Sequence, residues 1–230
     1  MIYVFPRCQE HEKEISQIKN ISRLYAFPTV PKFDNNSKIT ILDSGAFMLS
    51  QQNKKIGKKY MEKLSEHYSN YAKNNSSVFC VAPDVLEDAT TTMFNFLYWH
   101  KMGLYENIAP VIQLKSTNRN SFNSDEIKKQ IDFYAKHSKS KTIMFPTNFY
   151  AKDVETLNIY KLFDYCKECG FNWLHCLGQG WDLDDVKKWA EFESVDSIDS
   201  IAYYTSIHNF TKKENATVID SINAILEVLK

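Results

Sequence analysis

No run of about 18 consecutive apolar residues occurs anywhere in the chain, which excludes a membrane-spanning helix of the usual kind. Residues 1–7, MIYVFPR, are too short for the apolar region of a secretory signal and run straight into the charged segment from Glu10 to Glu14. Net charge is also lacking. The 28 Lys and Arg balance 28 Asp and Glu, which removes the overall basic signature of many nucleic-acid binders and leaves only local patches. Cysteine is sparse and odd in number: Cys8, Cys80, Cys166, Cys169 and Cys176 are scattered over apolar segments, which argues against a secreted disulfide framework. A cytosolic protein with reduced thiols is the expectation. No internal repeat, low-complexity tract or linker divides the sequence, so residues 1–230 are expected to form one domain.

What is present is an alternation. Apolar, β-branched or aromatic runs occur at residues 2–5, 24–27, 39–43, 78–83, 109–114, 142–146, 172–177 and 198–203. Helical periodicity fills most of the gaps, at 10–20, 56–74, 88–102, 124–138, 154–169 and 182–192, with a last segment at 215–229. Repeated strand then helix predicts a parallel sheet, and 230 residues suit a single (β/α)8 barrel of TIM type. The link between residues 27 and 39 has no obvious helix, so the second repeat is expected to be irregular. A doubly wound open sheet would satisfy the same alternation.

In such a barrel the chemistry sits at the C-terminal ends of the strands, and several runs end on polar residues. Asp43 closes ITILD and is followed by Ser44, Gly45, Ala46 and Phe47. Asp84 follows VFCVAP, Gln113 ends APVIQ, Gly178-Gln179-Gly180 follows NWLHCL, and Asp196 and Asp199 belong to SVDSIDS at the last run. Any one of these carboxylates reads equally as a helix cap or a structural hydrogen-bond acceptor. Several converging on one mouth would repel and desolvate one another, pushing their pKa values apart. One can then donate a proton while another attacks a sugar anomeric carbon.

Other groups carry weaker signals. Cys166-x-x-Cys169 followed by His175 and Cys176 superficially offers four zinc ligands. However, the first two lie in a helical segment and the last two are strand neighbours on opposite faces, so buried thiols and no metal are expected. Lys54, Lys55, Lys58 and Lys59 read either as a solvated helix start or as a phosphate-contacting loop. The stretch from Phe94 to Trp99 reads as core packing at helical spacing, and His100 as a surface or half-buried histidine.

Taken together, Leu42-Asp43-Ser44-Gly45-Ala46-Phe47, Pro83-Asp84, Val111-Ile112-Gln113, Leu177-Gly178-Gln179-Gly180 and Ser194 to Ser200 resemble the tRNA-guanine transglycosylase superfamily. Within it, the chain is most similar to the phage and genomic-island branch of DNA 7-deazaguanine transglycosylases. The resemblance covers residues 40–205. It implies Asp199 as nucleophile and Asp43 as general acid/base, with Phe47 stacking on the purine. Asp84 would accept the ring N–H and exocyclic amine of a guanine-like base, and Gln113 would donate to its carbonyl oxygen. Gly178 would let backbone groups approach the base, and Ser44, Gly45 and Leu177 would complete the pocket. Asp196 is the alternative nucleophile, three residues away in a repeated Asp-Ser pattern.

The implied reaction exchanges guanine in DNA for a 7-substituted 7-deazaguanine and uses no metal or redox cofactor. Two departures stand out. Ala46 replaces the second glycine usual in the tRNA enzymes, and the cysteine-rich zinc region that follows their barrel has no counterpart. Both put tRNA in doubt and point to DNA as the partner, with a partner protein helping to bind the duplex. A tRNA-acting paralogue, a nucleoside or glycoside hydrolase on the same barrel, and a non-catalytic nucleic-acid-binding subunit are the rival readings.

Overall fold

A computed structural model describes residues 1–31, 38–72, 75, 77–101, 107–114, 123–146, 154 and 158–230. The side chains of His100 and Lys101 fall outside the described set. Eight strands form one sheet: β1 (Ile2–Pro6), β2 (Ser22–Ala26), β3 (Thr40–Asp43), β4 (Val78–Val81), β5 (Ile108–Ala109), β6 (Thr142–Pro146), β7 (Trp173–Leu177) and β8 (Ser197–Asp199). Their order is β5-β4-β3-β2-β1-β8-β7-β6, and every pairing is parallel.

The two ends of that order meet. A parallel bridge joins Val111 to Met144, with Ile112 N donating to Met144 O at 2.8 Å and Met144 N to Pro110 O at 2.9 Å. The molecule is the expected (β/α)8 barrel, and the open-sheet alternative falls. β5 is short because Pro110 follows it: proline has no N–H for the ladder, so pairing resumes one residue later.

Helices return the chain between strands: α1 (Glu12–Ile15), α2 (Ala46–Gln51), α3 (Lys58–Ala72), α4 (Ala89–Lys101), α5 (Ser124–His137), α6 (Tyr160–Glu168), α7 (Leu183–Ala190), α8 (Ala202–Thr205), α9 (Ile207–Thr211) and α10 (Val218–Val228). The starts of α4, α5, α7 and α10 are capped by short acceptor side chains. Asp88 accepts from Thr91 N, Asp182 from Asp185 N, and Thr217 with Asp220 makes a reciprocal capping box. At α5 the cap is Asn123, whose side chain accepts from Asp125 N and Glu126 N.

Strand alternation sorts side chains into two cores. The barrel interior holds Val4, Leu24, Ile41, Val81, Ala109, Val111 and Met144, with Phe79 and Trp173 stacked at 5.8 Å. The larger core between strands and helices takes the other face, including Tyr25, Leu42, Cys80, Ile143, Phe145, Leu174 and Cys176. In that outer layer Arg23 of β2 meets Glu12 of α1 at 2.7 Å, both side chains nearly enclosed. Burial of such a pair is tolerable only because each charge has its partner.

Three local expectations need correction. The last strand does not run to residue 203: the Ser200 hydroxyl accepts Ala202 N at 3.0 Å, and this local bond turns the chain into α8 directly after Asp199. The 10–20 segment is α-helical only over Glu12–Ile15. Finally, Phe94–Trp99 is not all core. Phe96 and Trp99 are buried, but Phe94 and Tyr98, one turn apart, face outward.

Candidate active site

Asp43 is the last residue of β3 and follows Ile39 and Ile41 on the inward-facing alternation. Its Oδ1 accepts Gly45 N at 2.7 Å, so the carboxylate and the loop fix each other. Gly45 adopts φ +72°, and a Cβ there would sit 2.8 Å from Phe27 O and 3.0 Å from the Tyr60 hydroxyl. Only glycine meets both demands. Gly45→Ala is therefore expected to lower stability by about 2–3 kcal/mol. Urea unfolding checks this, and an unchanged midpoint would count against a rigid turn.

Loss of solvent pushes the Asp43 carboxyl from 3.8 up to about 7, aided by the nearby charges of Asp84 and Asp199 and opposed by the Gly45 N–H. A carboxyl poised there can give or take a proton near neutrality.

Asp84 follows β4 and Gln113 follows the Val111 bridge, so neighbouring strands bring them together. Gln113 Nε2 donates to Asp84 Oδ2 at 2.9 Å, and Gln113 Oε1 accepts Glu87 N at 3.0 Å. The Gln113 backbone is clamped by the Gln130 carboxamide of α5, which accepts from its N–H at 2.9 Å and donates to its C=O at 3.0 Å. Burial pushes Asp84 up to about 6, against the stabilising Gln113 contact. Among the described residues one amide hydrogen of Gln113 has no acceptor and is open to a ligand. The pair thus presents an acceptor beside a donor, as the edge of a guanine-like base requires.

Asp199 closes β8, 7% exposed. Its Oδ1 accepts from Gly178 N at 3.1 Å and lies 3.0 Å from His175 Nε2. Gly178 has φ +69° and open space where a Cβ would be, leaving room for a ligand against the backbone. Leu177, before it, ends β7 on the inner face. Phe47, in the first turn of α2, is 58% exposed. Ser44 is buried in the same turn, with its Oγ accepting Ala46 N. Asp43, Ser44, Gly45, Phe47, Asp84, Gln113, Leu177, Gly178 and Asp199 all lie at the C-terminal ends of their strands.

Asp196 does not join them. It precedes β8, where its carboxylate pairs with Lys167 and accepts Leu174 N. Three strand residues span about 10 Å, so Asp196 belongs to the opposite end of the barrel and, being odd-spaced, faces outward. As a substrate-binding residue or nucleophile it is corrected to a structural ion pair.

Lys54, Lys55, Lys58 and Lys59 are exposed on the loop and helix start that follow β3 and α2, on the mouth side. Lys54 contacts Gln52, and Lys58 approaches Glu62 at 3.9 Å. The cysteine group is dispersed. Cys166 and Cys176 lie in the outer core, Cys169 approaches Asp132 on the surface, and His175 is inside the barrel. Burial pushes the Cys80, Cys166 and Cys176 thiols up. Among the described residues, no group of three or more His, Cys, Asp or Glu is placed to hold a metal ion.

Two features escaped sequence reasoning. Exposed apolar side chains gather around the mouth: Val30, Met48, Leu86, Trp181 and Ile201 join Phe47 there. And His175, set aside above as a zinc candidate, is a partner of Asp199. Its signal was present as Trp173-x-His175 and Ser197-x-Asp199, two alternating pairs on adjacent runs.

No family model matches the chain, and no curated protein does. Among solved structures, methylaspartate ammonia lyase from Clostridium tetanomorphum, mutant L384A, superposes with a TM-score of 0.50 at 11% identity. It covers 100% of this chain, which spans 58% of the lyase. A magnesium complex of beta-methylaspartase from the same organism gives a TM-score of 0.45 at 11% identity, over 86% of this chain and 43% of that one. At this identity the likeness shows the barrel fold alone. Among the described residues no helix is long and apolar enough to cross a membrane.

Proposed function

We propose that the chain is a base-exchange glycosyltransferase that replaces guanine in DNA with a 7-substituted 7-deazaguanine, as the motif resemblance implies. The observation that carries this reading is the contrast between two carboxylates at one mouth. Asp43 is pushed up to about 7, while Asp199 has Oδ1 engaged by neighbouring N–H groups and Oδ2 with no partner among the described residues. Such a contrast suits a proton donor and a nucleophile.

In the reaction, Asp199 Oδ2 attacks C1′ of deoxyguanosine, the C1′–N9 bond breaks, and guanine leaves with the proton of Asp43. The incoming deazaguanine then gives its N9 proton to the Asp43 carboxylate. Its nitrogen displaces Asp199 from C1′, restoring both aspartates. Asp84 and Gln113 select the base edge and Phe47 covers its face. Because the target bond is hidden in a duplex, the nucleotide is flipped out or already single-stranded, and the apolar rim offers surfaces on which unstacked bases can rest.

Labelled 7-deazaguanine incubated with DNA and, separately, with tRNA tests the reading. Label entering DNA supports it, and label entering tRNA alone moves the substrate to the runner-up. Guanine release without label makes the protein a hydrolase, and neither label nor adduct makes it a binding module. In the same assay, replacing Lys54, Lys55, Lys58 and Lys59 with Gln is expected to weaken DNA binding and lower the slope of log K against log[salt] by up to about 3–4. An unchanged slope would remove the patch from the interface.

A further inference from the structure

We infer that His175 is a positioning residue for Asp199, held by a directed hydrogen-bond chain that occupies one carboxylate oxygen and leaves the other to attack. This rests on the proposed role of Asp199 as nucleophile. Apolar side chains make up most of the barrel interior, yet one continuous polar line climbs it between β7 and β8. Trp173 Nε1 donates to Ser197 Oγ at 2.8 Å, Ser197 Oγ lies 2.8 Å from His175 Nδ1, and His175 Nε2 lies 3.0 Å from Asp199 Oδ1. The parallel register pairs His175 directly with Ser197, so the line follows from strand alternation on two neighbours.

For an uncharged imidazole the direction of the chain is set by what each group can do. An indole N–H only donates, so Ser197 Oγ accepts from Trp173. Asp199 Oδ1 accepts, so a neutral His175 carries its hydrogen on Nε2. Its Nδ1 is then an acceptor, and the Ser197 hydroxyl must supply the hydrogen to it. All the polar atoms in the line are paired, as burial in an apolar interior demands. Below, Trp173 is stacked on Phe79 at 5.8 Å, which anchors the line to the barrel floor. Above, Gly178 N adds a second donor to Oδ1 at 3.1 Å.

This geometry decides between two roles for the imidazole. A general base needs a ring nitrogen open to the reacting groups. His175 has both nitrogens engaged and is 0% exposed, so it reaches substrate only through Asp199. What it can do is fix the rotation of that carboxylate. With Oδ1 tied by two donors from below and beside it, Oδ2 is the oxygen that meets C1′. A loose carboxylate would have to find that orientation at each turnover, and a misplacement of about 1 Å costs on the order of 10²-fold.

The test has one arm that needs no substrate. Nitrogen-15 NMR of the full chain should find His175 with hydrogen on Nε2 and an acceptor-type Nδ1, the latter shifting in Ser197→Ala. Hydrogen on Nδ1, or an Nδ1 signal indifferent to Ser197→Ala, would overturn the chain. The kinetic arm follows base exchange. His175→Phe, which keeps the bulk and removes the donor, should lower kcat on the order of 10²-fold with KM within about threefold. His175→Gln, which retains an N–H for Oδ1, should recover most of the loss.

Equal losses in the Gln and Phe variants, or a loss confined to KM, would reduce His175 to packing. If His175→Phe does not fold, Ser197→Ala carries the kinetic arm, with a several-fold fall in kcat expected and an unchanged kcat overturning the idea. Absence of exchange in the unaltered protein would sink the base-exchange reading instead, and the NMR arm would then decide the hydrogen-bond chain by itself.

Discussion

Asp199→Ala is expected to abolish the covalent adduct with DNA and to lower kcat/KM for base exchange on the order of 10⁴-fold or more. No described neighbour can replace it. His175 is buried with both ring nitrogens occupied, Asp84 is engaged by Gln113, and Asp43 is committed to the proton. Asp196→Ala is the control: its carboxylate sits with Lys167 and Leu174 N at the other end of the barrel, so the adduct should persist, with some loss of stability from the uncompensated lysine. Trapping the adduct on a denaturing gel reads both variants. If Asp199→Ala retained it, the base-exchange mechanism would fail.

The second large effect belongs to Asp43→Asn, and it has two opposite signs. Guanine departure should slow by about 10²–10⁴-fold, the usual contribution of a positioned acid, with DNA affinity kept, because an amide cannot protonate the leaving base. In single turnovers of the unaltered protein, departure should slow as pH rises through about 7, where Asp43 loses its proton.

Stability moves the other way. The folded Asp43 holds its proton up to about 7, against 3.8 ordinarily, so the native state binds that proton more tightly than the unfolded chain. Stability is therefore lost as pH rises from about 4 to 7 and stays lost above. The full shift corresponds to at most roughly 4 kcal/mol, reduced by the water that reaches a half-buried carboxyl. Asn, which does not titrate and can still accept the Gly45 N–H, escapes that loss. Asp43→Asn should raise Tm by about 4–8 °C near pH 8, with the gain fading toward pH 4. A Tm difference independent of pH would mean that Asp43 carries no such strain.

The barrel was legible because its signal is repetitive. Eight apolar runs and the helical periods between them each repeat one local rule, and an error at one end, such as the last run continuing to residue 203, does not disturb the order. What stayed hidden depends on neighbours that are distant in sequence. That Asp43 and Asp84 crowd one mouth was readable from strand-end placement. The reason Asp196 and Asp199 differ was half readable: odd spacing showed that only one could face inward, but not which. The choice comes from register, which sets Ser197 beside His175 and sends Asp196 to Lys167. His175 itself was overlooked because it was weighed only as a member of the group with Cys166, Cys169 and Cys176, which strand alternation set aside, and not as a neighbour of Asp199. Phe94 and Tyr98 were misjudged for a related reason: α4 is apolar on more than one face, so periodicity alone could not tell which aromatics it buries.

The barrel is not equally tied around its circumference. β6 and β7 are joined over five paired residues, Thr142 to Pro146 against Trp173 to Leu177, whereas among the described residues β5 meets β6 through the Val111–Met144 bridge alone, beside a proline that donates nothing. Breathing of the native state, seen as exchange of backbone amides with solvent, should therefore begin at that seam and reach the β6–β7 ladder, and β8 beyond it, later. Gln113 stands one residue past the bonded Ile112 and relies on Gln130 for its backbone partners, while Asp199 stands on β8, two strands away from that seam and paired with β1 over three residues. On the proposed base-exchange function, a partial opening would loosen the reading of the base and leave the attacking carboxylate in place, so fidelity should yield to heat or denaturant before reactivity does.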